Sequence, residues 1–251
     1  MNRLLTLLLI CAGVNSAFAD GGGDTNLPAS TILQRMIANR PAKDFSLKAR
    51  LFVTREKILP LDIQIKNTPT ETRTIYRSGN VELLAVQPVT GMGQVYLRGA
   101  GELTGARRME NLFDSRFTYY DLDLPFLHWP NPKLLGEDRV RGRDCYLLSC
   151  QATNEPYALV KMWIDKEYFG MVRAEVYDAN ETLLKRFAVT SLKRIDDVWI
   201  PRGLVVAARL PGQALPSEET SRLEIYEGNY DAKLPPEKFS PTAFGGRENS
   251  P

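Results

Sequence analysis

The chain is poor in the side chains on which most enzymes depend. Its 251 residues include one histidine, His128, and three cysteines. Any Ser-His-Asp or Cys-His scheme would have to run through His128, and no G-x-S-x-G elbow is present to pair with it. A lone histidine between Leu127 and Trp129 reads as a structural loop residue. One histidine and two separated cysteines make no zinc set. The carboxylate pairs Asp121/Asp123 and Asp196/Asp197 lack the further ligands that a calcium loop spaces along its length. Gly91-Met92-Gly93 and Gly99-Ala100-Gly101 lack the third glycine and the following helix of a nucleotide fingerprint. Neither catalysis, nor a metal, nor a cofactor is expected.

An excess of one charge is also missing. The formal net charge is +2, without the concentrated basic surplus of nucleic-acid binders. Beyond the N-terminus no apolar run is long enough to cross a bilayer as a helix. The N-terminus itself reads as an export signal: Met1-Asn2-Arg3 is a short basic start, Leu4 to Val14 is apolar, and Ala17-Phe18-Ala19 is an A-x-A site. Cleavage after Ala19 makes the mature protein periplasmic. Lipid anchoring through Cys11 fits poorly, because Ile10 and not a small residue precedes it. Cys145 and Cys150 lie on one expected strand, Asp144 to Ala152. Five strand steps separate their Cα atoms by about 16 Å, against the ~7 Å that a disulfide tolerates. Two unpaired, buried thiols are expected.

What is abundant is alternation. Residues 20–27 form a Gly-rich leader, and Pro28 and Ser30 open an amphipathic helix carrying Ile32, Leu33, Met36 and Ile37, which Pro41 stops. Phe45, Leu47, Ala49, Leu51 and Val53 then share one face of a strand, and Leu59, Leu61, Ile63 and Ile65 one face of the next. Pro60 marks an edge or bulge in that second strand. Thr70 to Arg77 and Val81 to Val86 flank a Ser78-Gly79-Asn80 turn. Val160, Met162 and Ile164, then Val172, Ala174 and Val176, continue the period of two into a meander that runs to Pro201. The expected fold class is mostly β (α+β), with residues 28–241 as a single domain and 242–251 as a disordered tail.

Two segments depart from this pattern. Residues 99–116 lose periodicity and read as a loop, and Phe117, Tyr120 and Leu124 then lie three to four apart, the spacing of a short helix ended by Pro125. Lying between two groups of strands, this segment is placed to act as a lid. Arg139, Arg141 and Arg143 share parity, so one strand through them would display a docking stripe for an acidic partner or lipid headgroups, or simply a solvated face. At least eight alternating segments in one strongly curved sheet would gather many apolar side chains on its concave face. That face either encloses a cavity for an apolar ligand or is filled as an ordinary core.

The blocks FTYYDLDLP, LLGEDRVRGRDCYLLSC, KMWIDKEYFGMVRAEVYD, LLKRFAVTSLKRIDDVWIP and LPPEKFSP, in this order, resemble the outer-membrane lipoprotein-sorting protein family, related to the LolA/LolB-like periplasmic lipoprotein carriers. The resemblance covers Phe117 to Pro241. It implies an incomplete, strongly curved antiparallel β-barrel with an N-terminal helix and a short helical lid. That barrel would wrap an apolar cavity that binds acyl chains, without enzyme activity.

The leading expectation is a monomeric periplasmic carrier or sensor of lipid or lipoprotein acyl chains. Phe45, Leu47, Leu51, Leu61, Ile63, Met162 and Ile164 would line the cavity, with Phe117, Tyr120 and Leu124 from the lid. Each buried acyl CH₂ would contribute about 0.8 kcal/mol. An inner-membrane exporter complex or an outer-membrane acceptor would be its partners. The alternative is an envelope protein-interaction or stress-sensing module with a filled core.

Overall fold

The structure is a computed structural model and describes residues 27–39, 41–89, 91–152, 155–196, 198–209 and 218–245. The expected export signal, its cleavage site and Cys11 lie outside the described residues.

Among the described residues the regular structure is one α-helix and thirteen strands, with short 3-10 turns between them. Helix α1 (Ala29–Ala38) buries Ile32, Leu33 and Met36, with Ile37 half-buried beside them. The strands are β1 (Phe45–Phe52), β2 (Ile58–Asn67), β3 (Glu71–Ser78), β4 (Val81–Pro88), β5 (Gln94–Leu97), β6 (Gly101–Glu102), β7 (Lys133–Val140), β8 (Arg143–Gln151), β9 (Leu159–Asp165), β10 (Met171–Tyr177), β11 (Leu183–Ile195), β12 (Val198–Arg209) and β13 (Glu218–Tyr230). All belong to one antiparallel sheet in the order β6-β5-β4-β3-β2-β1-β13-β12-β11-β10-β9-β8-β7. Every neighbour is a sequence neighbour except at the β1–β13 seam, where Phe45 opposes Tyr230 and Leu51 opposes Leu223.

Local chemistry sets the hairpins. Ser78 pairs with Val81 around a two-residue Gly79-Asn80 loop, and Gly79 takes the left-handed φ of 57° that such a loop requires. Pro60 opposes Arg50 of β1, while the ladder to β3 begins only at Asp62, so its missing N–H falls where β2 has no partner on that side.

The expected strongly curved barrel is not what forms. The sheet is neither closed nor strongly curled, and it ends in two separate edges, β6 and β7. Closure would need a ladder between those edges. β6 is two residues long, and the 3-10 turn Pro241–Phe244 packs beside it. A Cβ on Gly101 would stand 3.2 Å from the Gly245 carbonyl oxygen.

The chain therefore leaves the sheet at one edge and re-enters at the other, and residues 103–132 make the crossing. In this crossover the expected short helix is two successive 3-10 turns, Tyr119–Leu122 and Pro125–His128. Pro125 opens the second turn, where its missing N–H costs nothing, after Leu124 reverses the chain at φ 45°.

One face of the sheet, α1 and the crossover share the main apolar core. Strands β3 to β5 are buried on both faces. Ile75, Leu84, Val86 and Tyr96 pack on their second face against Phe239 and Phe244. Of the tail expected at 242–251, residues 242–244 belong to a 3-10 turn that holds Phe244 in this cluster, and residues 246–251 lie outside the described residues. Cys145 and Cys150 are unpaired and buried, and burial pushes their thiols up to about 11 and about 12.

Candidate functional site

The ten residues expected to line a cavity come together. Leu47 opposes Ile63 and Ala49 opposes Leu61 across β1–β2, Phe45 and Leu51 share that face, and Met162 and Ile164 stand on β9. Phe117, Tyr120 and Leu124 approach from the crossover. All ten are buried in the same core. They are packed side chain against side chain. A pocket bounded by Met171, Ala174, Phe187 and Leu204 holds about 10 Å³, barely room for one water. A larger hollow of about 480 Å³ is an open groove elsewhere, lined by Lys43, Asp44, Lys66, Asn67, Asp231 and Leu234. Its cations are paired: Lys66 with Asp44 and Lys43 with Asp231, each at 2.9 Å.

The crossover is fastened over this face by polar side chains in an apolar setting. The Asp121 carboxylate accepts from Lys185 Nζ at 2.7 Å, from the Tyr157 hydroxyl at 2.5 Å and from the Thr118 backbone N–H at 2.7 Å. Asp123 accepts from Arg108 Nη2 at 2.6 Å on both oxygens, and the Arg108 guanidinium lies 5.1 Å from the Tyr120 ring centroid. The Tyr120 hydroxyl donates to Glu155 at 2.6 Å, and Gln87 Nε2 donates to the Leu122 carbonyl at 3.2 Å. Burial raises the Asp123 pKa above the usual 3.8 despite the Arg108 charge beside it. Burial and the hydrogen bond to Glu155 raise Tyr120, and burial with the neighbouring Asp121 raises Tyr157 well above 10. Both phenols stay neutral donors at any physiological pH.

Close approach matters at one glycine. A Cβ on Gly93 would come within 2.6 Å of the Asp123 Cβ and 2.9 Å of the Val86 carbonyl oxygen, so the crossover lies directly on the β4–β5 connection.

Sequence reasoning singled out Phe117, Tyr120 and Leu124 here but missed the fasteners. Thr118-x-x-Asp121 is a capping-box spacing at the start of a turn, and Lys185 shares parity with Phe187 on an apolar strand face. Both signals were in the sequence.

The three arginines do not share a strand. Arg141 occupies a left-handed turn position at φ 50° between β7 and β8, because a two-residue Arg141-Gly142 loop joins Val140 to Arg143. Arg139 faces Asp144 at 3.7 Å, Arg143 pairs with Asp165 at 2.8 Å, and Arg141 donates to the Thr190 carbonyl at 3.1 Å. His128 is half-buried at the end of a 3-10 turn. Among the described residues no group of three or more His, Cys, Asp or Glu side chains is placed to hold a metal ion.

A family model described as "Uncharacterized protein" matches residues 97–245. No curated protein matches. Solved structures do. A DUF1329 family protein from Desulfovibrio piger superposes with a TM-score of 0.70 at 18% identity, covering 86% of this chain and 95% of its own. A Vibrio parahaemolyticus protein described as an outer membrane lipoprotein-sorting protein domain gives 0.74 at 14%, covering 86% and 97%. A LolA superfamily protein from Nitrosomonas europaea gives 0.58 at 18%, covering 86% and 98%. At these identities the likeness is one of fold.

Proposed function

The chain belongs to the family of uncharacterized proteins matched over residues 97–245, and we propose that it is a non-catalytic periplasmic carrier or sensor that takes lipid or lipoprotein acyl chains between its sheet and its crossover. The observation that carries this reading is how the apolar wall is covered. The backbone bonds of Leu112, Ser115, Tyr119, Asp121 and Leu127 stay within the crossover. At its root the Leu103 N–H donates to the Val95 carbonyl at 2.8 Å. Farther along, its polar ties run through single side chains: Asp121 with Lys185, Gln87 with the Leu122 carbonyl, Ser221 with the Arg116 N–H, and Asp114 with Lys57 of the β1–β2 turn. A cover held in this way can lift as a unit without unzipping a ladder, and it would expose Leu47, Ile63, Met162 and their neighbours to an acyl chain. Each methylene transferred to that wall gains about 0.8 kcal/mol. Such a carrier would work as a monomer between a membrane donor and an acceptor. The shared fold with a lipoprotein-sorting protein domain supports the reading.

The test is to purify the protein without detergent, denature it and search the extract for acyl lipids, then to titrate the stripped protein with a fluorescent fatty acid. Bound lipid or micromolar probe binding, weakened by Leu124→Asp, is the expected result. The tight core favours a second reading, an envelope protein-interaction module with a filled core. Absence of lipid together with absence of probe binding would establish that reading in place of the first.

A further inference from the structure

The face of the sheet opposite the core carries a pattern that the core site does not use. Across six adjacent strands Trp163, Arg173, Ala188, Val205, Arg222 and Phe52 oppose one another in a single row. The neighbouring row runs Lys161, Glu175, Arg186, Ala207 and Thr220. Core residues such as Ala174, Phe187 and Val206 alternate with these positions, which fixes both rows on the outer face. At about 4.8 Å per strand the first row spans roughly 24 Å.

Cations and rings are interleaved on this face. Arg173 stacks on Trp163 at 4.5 Å, Arg222 on Phe52 at 4.1 Å and Arg50 on Tyr226 at 5.0 Å. Arg202 and Arg222, each at least half exposed, share one carboxylate, Glu224, at 3.3 and 3.8 Å. Exposed pairs at such distances are weak and screened, so the guanidiniums remain available to a stronger anion. The face carries acids as well, Glu175 paired with Arg173 and Arg186, and Glu224 with Arg202 and Arg222, so that among these side chains and Arg50 five arginines stand against two carboxylates. Trp199 and Tyr226 stand out at 41% and 44% exposure, and Trp199 opposes Arg194 at the turn end of β11–β12.

We infer that the outer face of β9–β13 and β1 is a docking surface for the anionic phospholipid headgroups of a bilayer. A broad face of a sheet that is not strongly curled fits a plane, its arginines match phosphate in charge and geometry, and exposed Trp and Tyr side chains settle at headgroup depth. The inference does not depend on whether the core accepts acyl chains.

Flotation of the purified protein with vesicles of phosphatidylethanolamine and phosphatidylglycerol tests it, with phosphatidylcholine vesicles and soluble polyglutamate as controls. Expected are binding to the anionic vesicles alone and release by high salt. The variant Arg50→Glu/Arg222→Glu should bind at least about tenfold more weakly, while Arg50→Lys/Arg222→Lys should retain most binding. Trp199 gives a local readout, because Trp129 and Trp163 are 8% and 6% exposed: iodide quenching should fall when anionic vesicles are added. Circular dichroism and an unchanged urea midpoint verify that the variants are folded. Equal binding to phosphatidylcholine, no loss on charge reversal in a folded variant, or binding to polyglutamate without binding to vesicles would each overturn the inference, the last pointing to an acidic protein.

Discussion

Asp121 and Lys185 meet at 2.7 Å with side-chain exposures of 1% and 11%. The lysine stands on the core side of β11, at the parity of Phe187, and the aspartate is brought to it by the crossover. Each places its charge against the other's in a setting that holds little water.

Removing one partner should therefore cost far more than removing both. Lys185→Met leaves a buried carboxylate without its cation and should lower stability by about 3–5 kcal/mol. In the double variant Lys185→Met/Asp121→Asn, a large part of that loss should return, since the amide still accepts from Tyr157. Urea unfolding of the four-member cycle measures the coupling. Additive losses would mean that the pair contributes nothing to holding the crossover.

Acid should act through Glu175 and not through Asp123. Burial alone would raise the Glu175 carboxyl, but hydrogen bonds from Tyr177, Arg186 and Arg173 hold it below 4.5. A depressed folded pKa contributes stability that is present above about pH 4.5 and is lost as pH falls through the folded value. Asp123 has the opposite sign. Burial, only partly opposed by Arg108, raises it, so folding prefers its protonated form and its contribution declines as pH rises above 3.8. Urea midpoints between about pH 3 and 7 should thus lose part of their acid slope in Glu175→Gln and keep it in Asp123→Asn.

The two thiols should be silent in the native protein. With pKa values pushed to about 11 and about 12 by burial, the thiolate fraction at pH 8 is on the order of 0.1% or less. In a Cys11→Ser background a chromogenic disulfide reagent should therefore find no fast thiol before denaturant and two after it. A fast native thiol would show that β8 opens readily.

The strands were legible because each turns one apolar face inward: Phe45, Leu47 and Leu51 announce β1 as plainly as Met162 and Ile164 announce β9. The β1–β13 seam was not, since Leu223 and Ile225 alternate like any other strand and partner choice is tertiary. Curvature was also hidden. Alternation records which face is buried and is silent on how far the sheet bends, so the same pattern suits an open sheet and a barrel. That Phe117, Tyr120 and Leu124 would be buried could be read from their spacing, whereas the pairs that fasten the crossover left fainter traces, a capping-box spacing at Thr118 and Asp121 and a strand parity at Lys185. Lys185 differs from a solvated lysine only by a parity that competes with its charge.

The C-terminal segment offers the sharpest test of how the open sheet is kept from growing. Phe244 is fully buried against Ile75, Leu84, Val86 and Tyr96, with the Arg98 guanidinium 4.2 Å from its ring centroid and Arg98 Nη1 donating to the Ala243 carbonyl at 2.7 Å. Phe244→Ala should cost about 3–5 kcal/mol, as truncation of a buried aromatic does. A chain ending at Pro241 should lose more than stability. The turn it lacks is what packs beside β6, and an uncovered sheet edge is a template for pairing with another chain. Size-exclusion chromatography should then show concentration-dependent assembly in the truncated chain that Phe244→Ala, which keeps the backbone in place, shows far less. Equal assembly in both would mean that the ring, by holding the turn down, guards the edge, and an unchanged stability in Phe244→Ala would mean that the segment does not dock there at all.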